Sequence, residues 1–71
     1  MNDIAHYHQL PQRQRDVLKL ICEDMTVKAI AGELGISSKT VEYHKSVLYR
    51  KFKCGLAGLV RLAIKIKLIE P

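Results

Sequence analysis

Residues 34–52 decide the fold of this chain: Leu34-Gly35-Ile36-Ser37-Ser38-Lys39-Thr40-Val41-Glu42-Tyr43-His44-Lys45-Ser46, continuing to Phe52. Gly35 suits the left-handed turn that ends one helix, and Ile36 is placed to pack back on the core. Ser37 or Ser38 then supplies an oxygen that caps a second helix. A helix, a tight turn and a second helix make a helix-turn-helix, the motif whose second helix enters a DNA groove.

Four helices and no strands are predicted around this turn, because apolar residues recur at helical spacing in four segments. The segments cover residues 11–23, 27–34, 39–53 and 56 to about 67. Pro11 suits the first turn of a helix, where its missing N–H costs nothing. Thr26 is placed to cap the second helix, and Gly55 marks the break before the fourth. The predicted fold is an all-α, four-helix helix-turn-helix domain.

The length of 71 residues allows one small domain, which buries about 60% of its unfolded surface. We assign residues 10–71 to this domain and residues 1–9 to a flexible lead-in or the stub of a linker. No apolar run is long enough to predict a membrane span, and no signal peptide is recognisable. A cytoplasmic location with reduced cysteines is therefore expected.

The net charge of +5 is unevenly distributed along the chain. Residues 1–36 carry four Lys or Arg against five Asp or Glu, whereas residues 37–71 carry eight against two. A basic second half is typical of a domain that binds a polyanion. On charge alone, a solvated basic surface without a partner remains the alternative.

Metal, cofactor and enzyme functions find little support in the residue pattern. Cys22 and Cys54 are too far apart for a paired zinc motif, and His6 and His8 have no third ligand nearby. We find no nucleophile–base pair, carboxylate pair or phosphate-binding glycine loop. We therefore expect no metal, no cofactor and no enzymatic activity.

The third helix has two different faces on a helical wheel with about 100° per residue. The inner face carries Val41, His44, Leu48 and Phe52. The outer face carries Lys39, Glu42, Tyr43, Ser46, Arg50 and Lys53. Hydrogen-bonding groups and cations with one acid fit the major groove, where base edges offer donors and acceptors and the walls are phosphate.

Several positions on this helix allow a structural role instead of a DNA contact. Tyr43 fits either a base or phosphate contact or simple packing. His44 leans toward the core, which favours a partly buried histidine, and Val47 either completes the core or touches a thymine methyl. Lys45 and Lys51 flank the inner face and either extend to phosphates or remain solvated.

The same residues are similar to those of a known domain family. The segments that carry the likeness are Leu10-Pro11-Gln12-Arg13-Gln14-Arg15-Asp16-Val17-Leu18, Lys28-Ala29-Ile30-Ala31, Leu34-Gly35-Ile36-Ser37, Thr40-Val41-Glu42-Tyr43-His44 and Arg50-Lys51-Phe52. They resemble the LuxR-type DNA-binding domain, also called the GerE or FixJ type. The resemblance implies the output domain of a bacterial transcription regulator of the response-regulator or quorum-sensing kind. It also implies double-stranded DNA as partner, and a receiver or ligand-binding domain elsewhere in a longer parent protein.

By position, the resemblance implies two groups of DNA-contacting residues. Those at base-facing sites are Glu42, Tyr43 and Ser46. Those near phosphates are Lys28, Ser38, Lys39, Thr40 and Arg50.

The chain also departs from the family pattern. Asp24 stands at a usual Gly, and Gln14 and Ala29 stand at usual Glu positions. Glu42 replaces a common Lys or Arg, and Val47 replaces a common polar residue. A carboxylate is repelled by phosphate but accepts a hydrogen bond from cytosine N4, so we expect an unusual DNA sequence preference.

The fourth helix has more apolar surface than a small domain needs. Its apolar residues cover about 200° of arc, roughly twice the stripe of an ordinary surface helix. We expect it to join two copies into a homodimer on DNA, with an interface that includes Leu59, Leu62 and Ile66. A two-fold dimer sets two recognition helices about one DNA turn apart. The alternative is that the core and the tail absorb this surface.

Two other functions compete with this hypothesis. A protein-interaction module with the same fold accounts for the unusual residues Ala29, Glu42 and Val47. The opening Leu10 to Arg15 also resembles the promoter-binding domain of sigma factors, but His44 and a fourth apolar helix argue against that group.

Overall fold

A computed structural model describes residues 3–70, which form five α-helices and no strand. The helices are α1 (Asp3–His8), α2 (Gln12–Cys22), α3 (Val27–Leu34), α4 (Ser38–Phe52) and α5 (Leu56–Lys65). The all-α prediction is confirmed, and α2–α5 correspond to the four predicted helices. Their observed limits differ from the predicted ones by no more than two residues.

Helix α1 is the element that the sequence did not predict. The residues expected to form a loose lead-in are helical from Asp3 to His8; Met1 and Asn2 lie outside the described residues. Tyr7 packs against the core, and the Asp3 carboxylate accepts a hydrogen bond from Lys65 Nζ on α5 at 3.2 Å. Long-range contacts therefore order a segment too short to be a stable helix alone. The assignment of residues 1–9 as a linker stub stays a prediction.

Thr26 and Ser37 begin the two helices of the predicted helix-turn-helix. Thr26 Oγ1 accepts a hydrogen bond from the Ala29 N–H at 3.1 Å. Ser37 Oγ accepts one from the Thr40 N–H at 3.0 Å. The expected cap at Thr26 is confirmed, and Ser37 rather than Ser38 caps α4.

Helices α2–α5 all end in the same way. Each is followed by a residue with left-handed backbone, and the next N–H donates to the carbonyl five residues earlier. The left-handed residues are Asp24, Gly35, Lys53 and Lys67, with φ of 68°, 66°, 54° and 62°. The residues after them, which pack against the core, are Met25, Ile36, Cys54 and Leu68. This is the Schellman arrangement, in which a hydrogen bond and an apolar contact together fix the helix end.

The core lies where α2 and α4 pack on each other and on α3 and α5. Its buried apolar residues are Leu10, Val17, Leu18, Ile21, Cys22, Ile30, Ala31, Val41, Leu48, Leu59, Leu62 and Ala63. Full burial of a side chain such as Leu48 contributes about 1.5–3 kcal/mol. Since α4 is anchored by such residues along its inner side, its outer side has a fixed orientation.

The predicted dimer interface needs correction at two residues. Leu59 is completely buried and Leu62 is 7% exposed within the single chain, so neither is available to a second copy. Ile66 is half-buried and also packs against the core. Leu59 and Leu62 lie on the inner side of α5 because residues three apart share one face of a helix, and this face packs against α2; Ile66 directly follows the helix.

No helix in residues 3–70 is both long and apolar enough to cross a membrane.

Candidate nucleic-acid interface

The turn between α3 and α4 fixes the angle between these two helices. Gly35 has φ of 66°, a conformation that glycine adopts without strain. The Ile36 N–H then donates to the Ala31 carbonyl at 3.1 Å, and Ile36 packs against the core. Ser37 caps α4, and its Oγ also lies 2.9 Å from Thr40 Oγ1. The first turn of α4 is therefore held by both its backbone and its side chains.

The two faces of α4 match the helical-wheel analysis. Val41 and Leu48 are fully buried, while His44 and Phe52 are half-buried. All six residues assigned to the outer face are exposed: Lys39, Glu42, Tyr43, Ser46, Arg50 and Lys53. The exposed side of α4 is consequently polar and largely basic.

All eight residues predicted to contact DNA are exposed in the structure. Seven lie on α4, namely Ser38, Lys39, Thr40, Glu42, Tyr43, Ser46 and Arg50. Lys28 lies in the first turn of α3. Their contact with DNA stays a prediction.

The cations on the outer face of α4 have no acidic partner nearby. Within residues 3–70, no ion pair involves Lys39, Arg50 or Lys53. Among the described residues, the one ion pair on α4 joins Glu42 to Lys45 and leaves these three cations unneutralised. Lys39 and Arg50 on α4, with Lys53 directly after its end, form a group of unpaired cations that favours binding of a polyanion.

Glu42 differs from its neighbours on α4 because it is paired. Its Oε1 lies 3.7 Å from Nζ of Lys45, one turn further along the helix. Lys45 was predicted to reach a phosphate or to be solvated, and the structure gives it an internal partner instead. The distance is too long for a hydrogen bond but short enough for direct electrostatic attraction.

Tyr43 and His44 form an edge-to-face ring contact on α4, with centroids 5.6 Å apart. Tyr43 is 61% exposed, so it is not a packing residue of the core. Nδ1 of His44 is buried and has no hydrogen-bond partner in the described structure. His44 therefore belongs to the inner side of α4, as expected, while Tyr43 is free to contact a ligand.

The cysteines and histidines do not assemble a metal site in the described residues. No group of three or more His, Cys, Asp or Glu side chains lies close enough together to hold an ion. Both cysteines are free thiols. Burial raises the pKa of the Cys22 thiol to about 11, with smaller contributions from Cys54 and Glu23, so this thiol is protonated at neutral pH.

The apolar surface that α5 leaves outside the core is formed by other residues than Leu59, Leu62 and Ile66, which the sequence predicted. Beside the inward-facing Leu59, Leu62 and Ala63, one flank of α5 carries exposed Leu56 and Ala57 and half-buried Val60 and Ile64, of which Val60 also packs against the core. Leu56 is 50% exposed. We call these four residues the α5 seam. A helical wheel of α5 identifies the seam only once it is known which residues of the helix are buried.

Comparison with protein families gives one match that covers most of the chain. The family described as "Bacterial regulatory proteins, luxR family" matches residues 8–63. The match therefore includes α2–α4 and most of α5.

Individual relatives agree with this match. The chain is 43% identical to the transcriptional regulatory protein UhpA of Escherichia coli over 54 residues, covering 76% of this chain and 26% of UhpA. It is 40% identical to the transcriptional regulatory protein FixJ of Rhizobium meliloti over 65 residues, covering 89% of this chain and 32% of FixJ. The spore germination protein GerE of Bacillus subtilis is 39% identical over 57 residues, which cover 80% of this chain and 74% of GerE.

The chain spans about a quarter of UhpA and a third of FixJ. No solved structure matches it significantly.

Proposed function

The chain belongs to the luxR family of bacterial regulatory proteins and carries the family's DNA-binding helix-turn-helix, and we propose that it reads DNA with α4 in the major groove. The observation that carries this proposal is the exposed side of α4, where Lys39 and Arg50, and Lys53 just after the helix end, lack acidic partners within the described residues. An α-helix fits the width of the major groove of B-DNA.

In this arrangement, two sets of side chains have different tasks. Glu42, Tyr43 and Ser46 face the base edges and determine which sequence is preferred. Lys28, Ser38, Lys39, Thr40 and Arg50 lie near phosphates and fix the position of the domain on the duplex. Phosphate contacts contribute affinity on any sequence, whereas base contacts contribute discrimination.

The proposal is tested by titrating the domain against duplex DNA at several salt concentrations. If Lys28, Lys39 and Arg50 each neutralise one phosphate, log Kobs falls against log salt concentration with a slope of about −2.7 per domain. Affinity that is independent of salt would contradict phosphate binding. Absence of binding to random-sequence DNA at low salt would favour the alternative protein-interaction module.

Two substitutions separate the two kinds of contact. Arg50→Ala is expected to weaken binding to all sequences and to reduce the salt slope by about 0.9. Glu42→Ala is expected to change the sequence selected from a random duplex pool while leaving the salt slope nearly constant. An unchanged selected sequence with Glu42→Ala would remove Glu42 from the base-facing set.

We also propose that two copies pair on DNA through the α5 seam. Leu56, Val60 and Ile64 recur every four residues along α5, and Ala57 is small enough for close helix approach. Pairing about a two-fold axis would set the two α4 helices in successive turns of the major groove.

The setting of this domain is also a proposal. UhpA and FixJ are transcriptional regulatory proteins several times longer than the matched region. We propose that this domain acts in the cytoplasm as the output of such a regulator, joined to a receiver or sensor domain in a longer parent, and that it has no catalytic activity.

A further inference from the structure

Glu42 is the only carboxylate on α4. It stands among exposed cations and hydrogen-bonding groups, on the side of the helix that we place against DNA. A carboxylate in that position is repelled by the phosphates on both sides of the groove. Its presence there requires something that reduces this repulsion.

Lys45 is the residue in the structure that supplies the opposing charge. Lys45 Nζ lies 3.7 Å from Glu42 Oε1, and the Lys45 side chain is only 25% exposed against 61% for Glu42. The covered stem of Lys45 has lost part of its freedom already, so holding the pair costs less side-chain entropy than for two fully exposed side chains. The pair also has no net charge.

The Glu42–Lys45 pair lies on one flank of α4, between its buried side and the middle of its exposed side. On a wheel with about 100° per residue, Lys45 lies about 40° from buried Val41 and Glu42 about 100° from it. Attraction to Lys45 therefore draws the Glu42 carboxylate away from Arg50 and toward one edge of the outer face. The position of the carboxylate along that edge then determines which base pair Glu42 contacts.

We propose that Lys45 is a positioning residue that neutralises and orients Glu42, so that Glu42 selects cytosine by accepting a hydrogen bond from the N4 amino group. The proposal rests on the proposed placement of α4 in the major groove. Cytosine N4 is the major-groove donor that an acceptor-only carboxylate matches. Without Lys45, the same carboxylate would mainly repel the duplex.

The test is a double-mutant cycle with Glu42→Gln, Lys45→Gln and the combined variant, using the full chain. Each is titrated against the duplex that the unmodified protein selects from a random pool, at one salt concentration. Lys51→Gln, which removes an exposed cation without an ion pair in residues 3–70, is the matched control for loss of one positive charge.

Lys45→Gln is expected to weaken binding about tenfold when Glu42 is present, because close charge pairs at interfaces are strongly coupled. In the Glu42→Gln background the loss is expected to fall to that of Lys51→Gln. Glu42→Gln should also move the preference at one position from cytosine to adenine, since glutamine pairs with adenine N6 and N7. Lys45→Arg, which keeps the charge, should restore both affinity and cytosine preference.

Equal losses from Lys45→Gln in both backgrounds would overturn the proposal and make Lys45 an ordinary phosphate contact. Unchanged base preference with Glu42→Gln would also overturn it. Both results leave the proposed DNA binding intact. Salt-independent binding by the unmodified protein would instead remove the proposed function. Thermal melting of each variant verifies that it is folded at the titration temperature.

Discussion

At the scale of single residues, the left-handed positions after the helices are the most informative. Only Gly35 among the four is a glycine; Asp24, Lys53 and Lys67 hold the same conformation with a side chain present. A Cβ in left-handed backbone costs about 1–2 kcal/mol because it approaches the next carbonyl oxygen. The apolar residue that follows each one and packs on the core offsets this strain.

Lys53→Gly is expected to stabilise the domain by about 0.5 kcal/mol, because relief of the left-handed strain exceeds the entropy cost of glycine. That gain corresponds to a melting temperature about 2–4 °C higher for a domain of this size. Lys51→Gly is the control: Lys51 is two residues earlier, in the last turn of α4, where the backbone is still helical and glycine destabilises by up to about 0.5–1 kcal/mol. Melting curves that move in the same direction for both variants would contradict this account.

At the scale of elements, α5 has two apolar sides with different uses. Leu59, Leu62 and Ala63 close the core, and the α5 seam is the side that we propose pairs with a second copy. The sequence showed that the helix was too apolar for a simple surface helix. It could not show which side was inward, because both sides carry aliphatic residues and only packing against α2 and α4 distinguishes them.

Ala57→Glu should disrupt pairing through the α5 seam, because it places a charge where two copies would approach closely. On a duplex with two half-sites, we expect the second copy to bind without cooperativity, while binding to a single half-site is unchanged. Sedimentation and titration on both duplexes measure this. Ala29→Glu is the matched control, since Ala29 is also an exposed alanine in the first turn of a helix. Retained cooperativity with Ala57→Glu would exclude the seam as the interface.

At the scale of the whole molecule, the buried Cys22 links stability to alkaline pH. Its pKa is raised from 9.0 to about 11 by burial, so the unfolded chain loses this proton at lower pH than the folded one. The folded state keeps its full stability below pH 9 and loses the Cys22 contribution as pH rises from about 9 to 11.

We therefore expect the melting temperature to fall more steeply above pH 9 in the unmodified protein than in Cys22→Ala. Both proteins contain the same lysines and tyrosines, so the effect of these residues cancels when one pH profile of the melting temperature is subtracted from the other. Melting curves at pH 8, 9 and 10 measure the effect. Parallel pH profiles would show that Cys22 ionises as readily in the folded domain as in the unfolded chain.

Most of the fold was predictable from local chemistry, and most of what was missed depends on contacts between distant residues. The cap at Thr26, a serine cap on α4 at Ser37 or Ser38, the turn at Gly35 and the two faces of α4 follow from residue type and helical spacing. Helix α1 was missed because its order depends on Tyr7 packing and on the Asp3–Lys65 pair, which joins residues 62 positions apart. The pairing of Glu42 with Lys45 was missed for another reason: the spacing allowed it, but Lys45 had equally good alternatives in phosphate or solvent.

The docking of α1 has a practical consequence for attaching probes to this domain. Asp3 lies against Lys65, and the His6 ring contacts Phe52 at the last turn of α4, with centroids 6.4 Å apart. Ten residues of helix separate Phe52 from Glu42, a rise of about 15 Å. A fluorophore or spin label attached at Ile4, which is 50% exposed, would therefore lie next to Asp3 and away from the part of α4 that we propose to contact DNA. Distances between two such labels would report how copies meet, with little disturbance of sequence recognition.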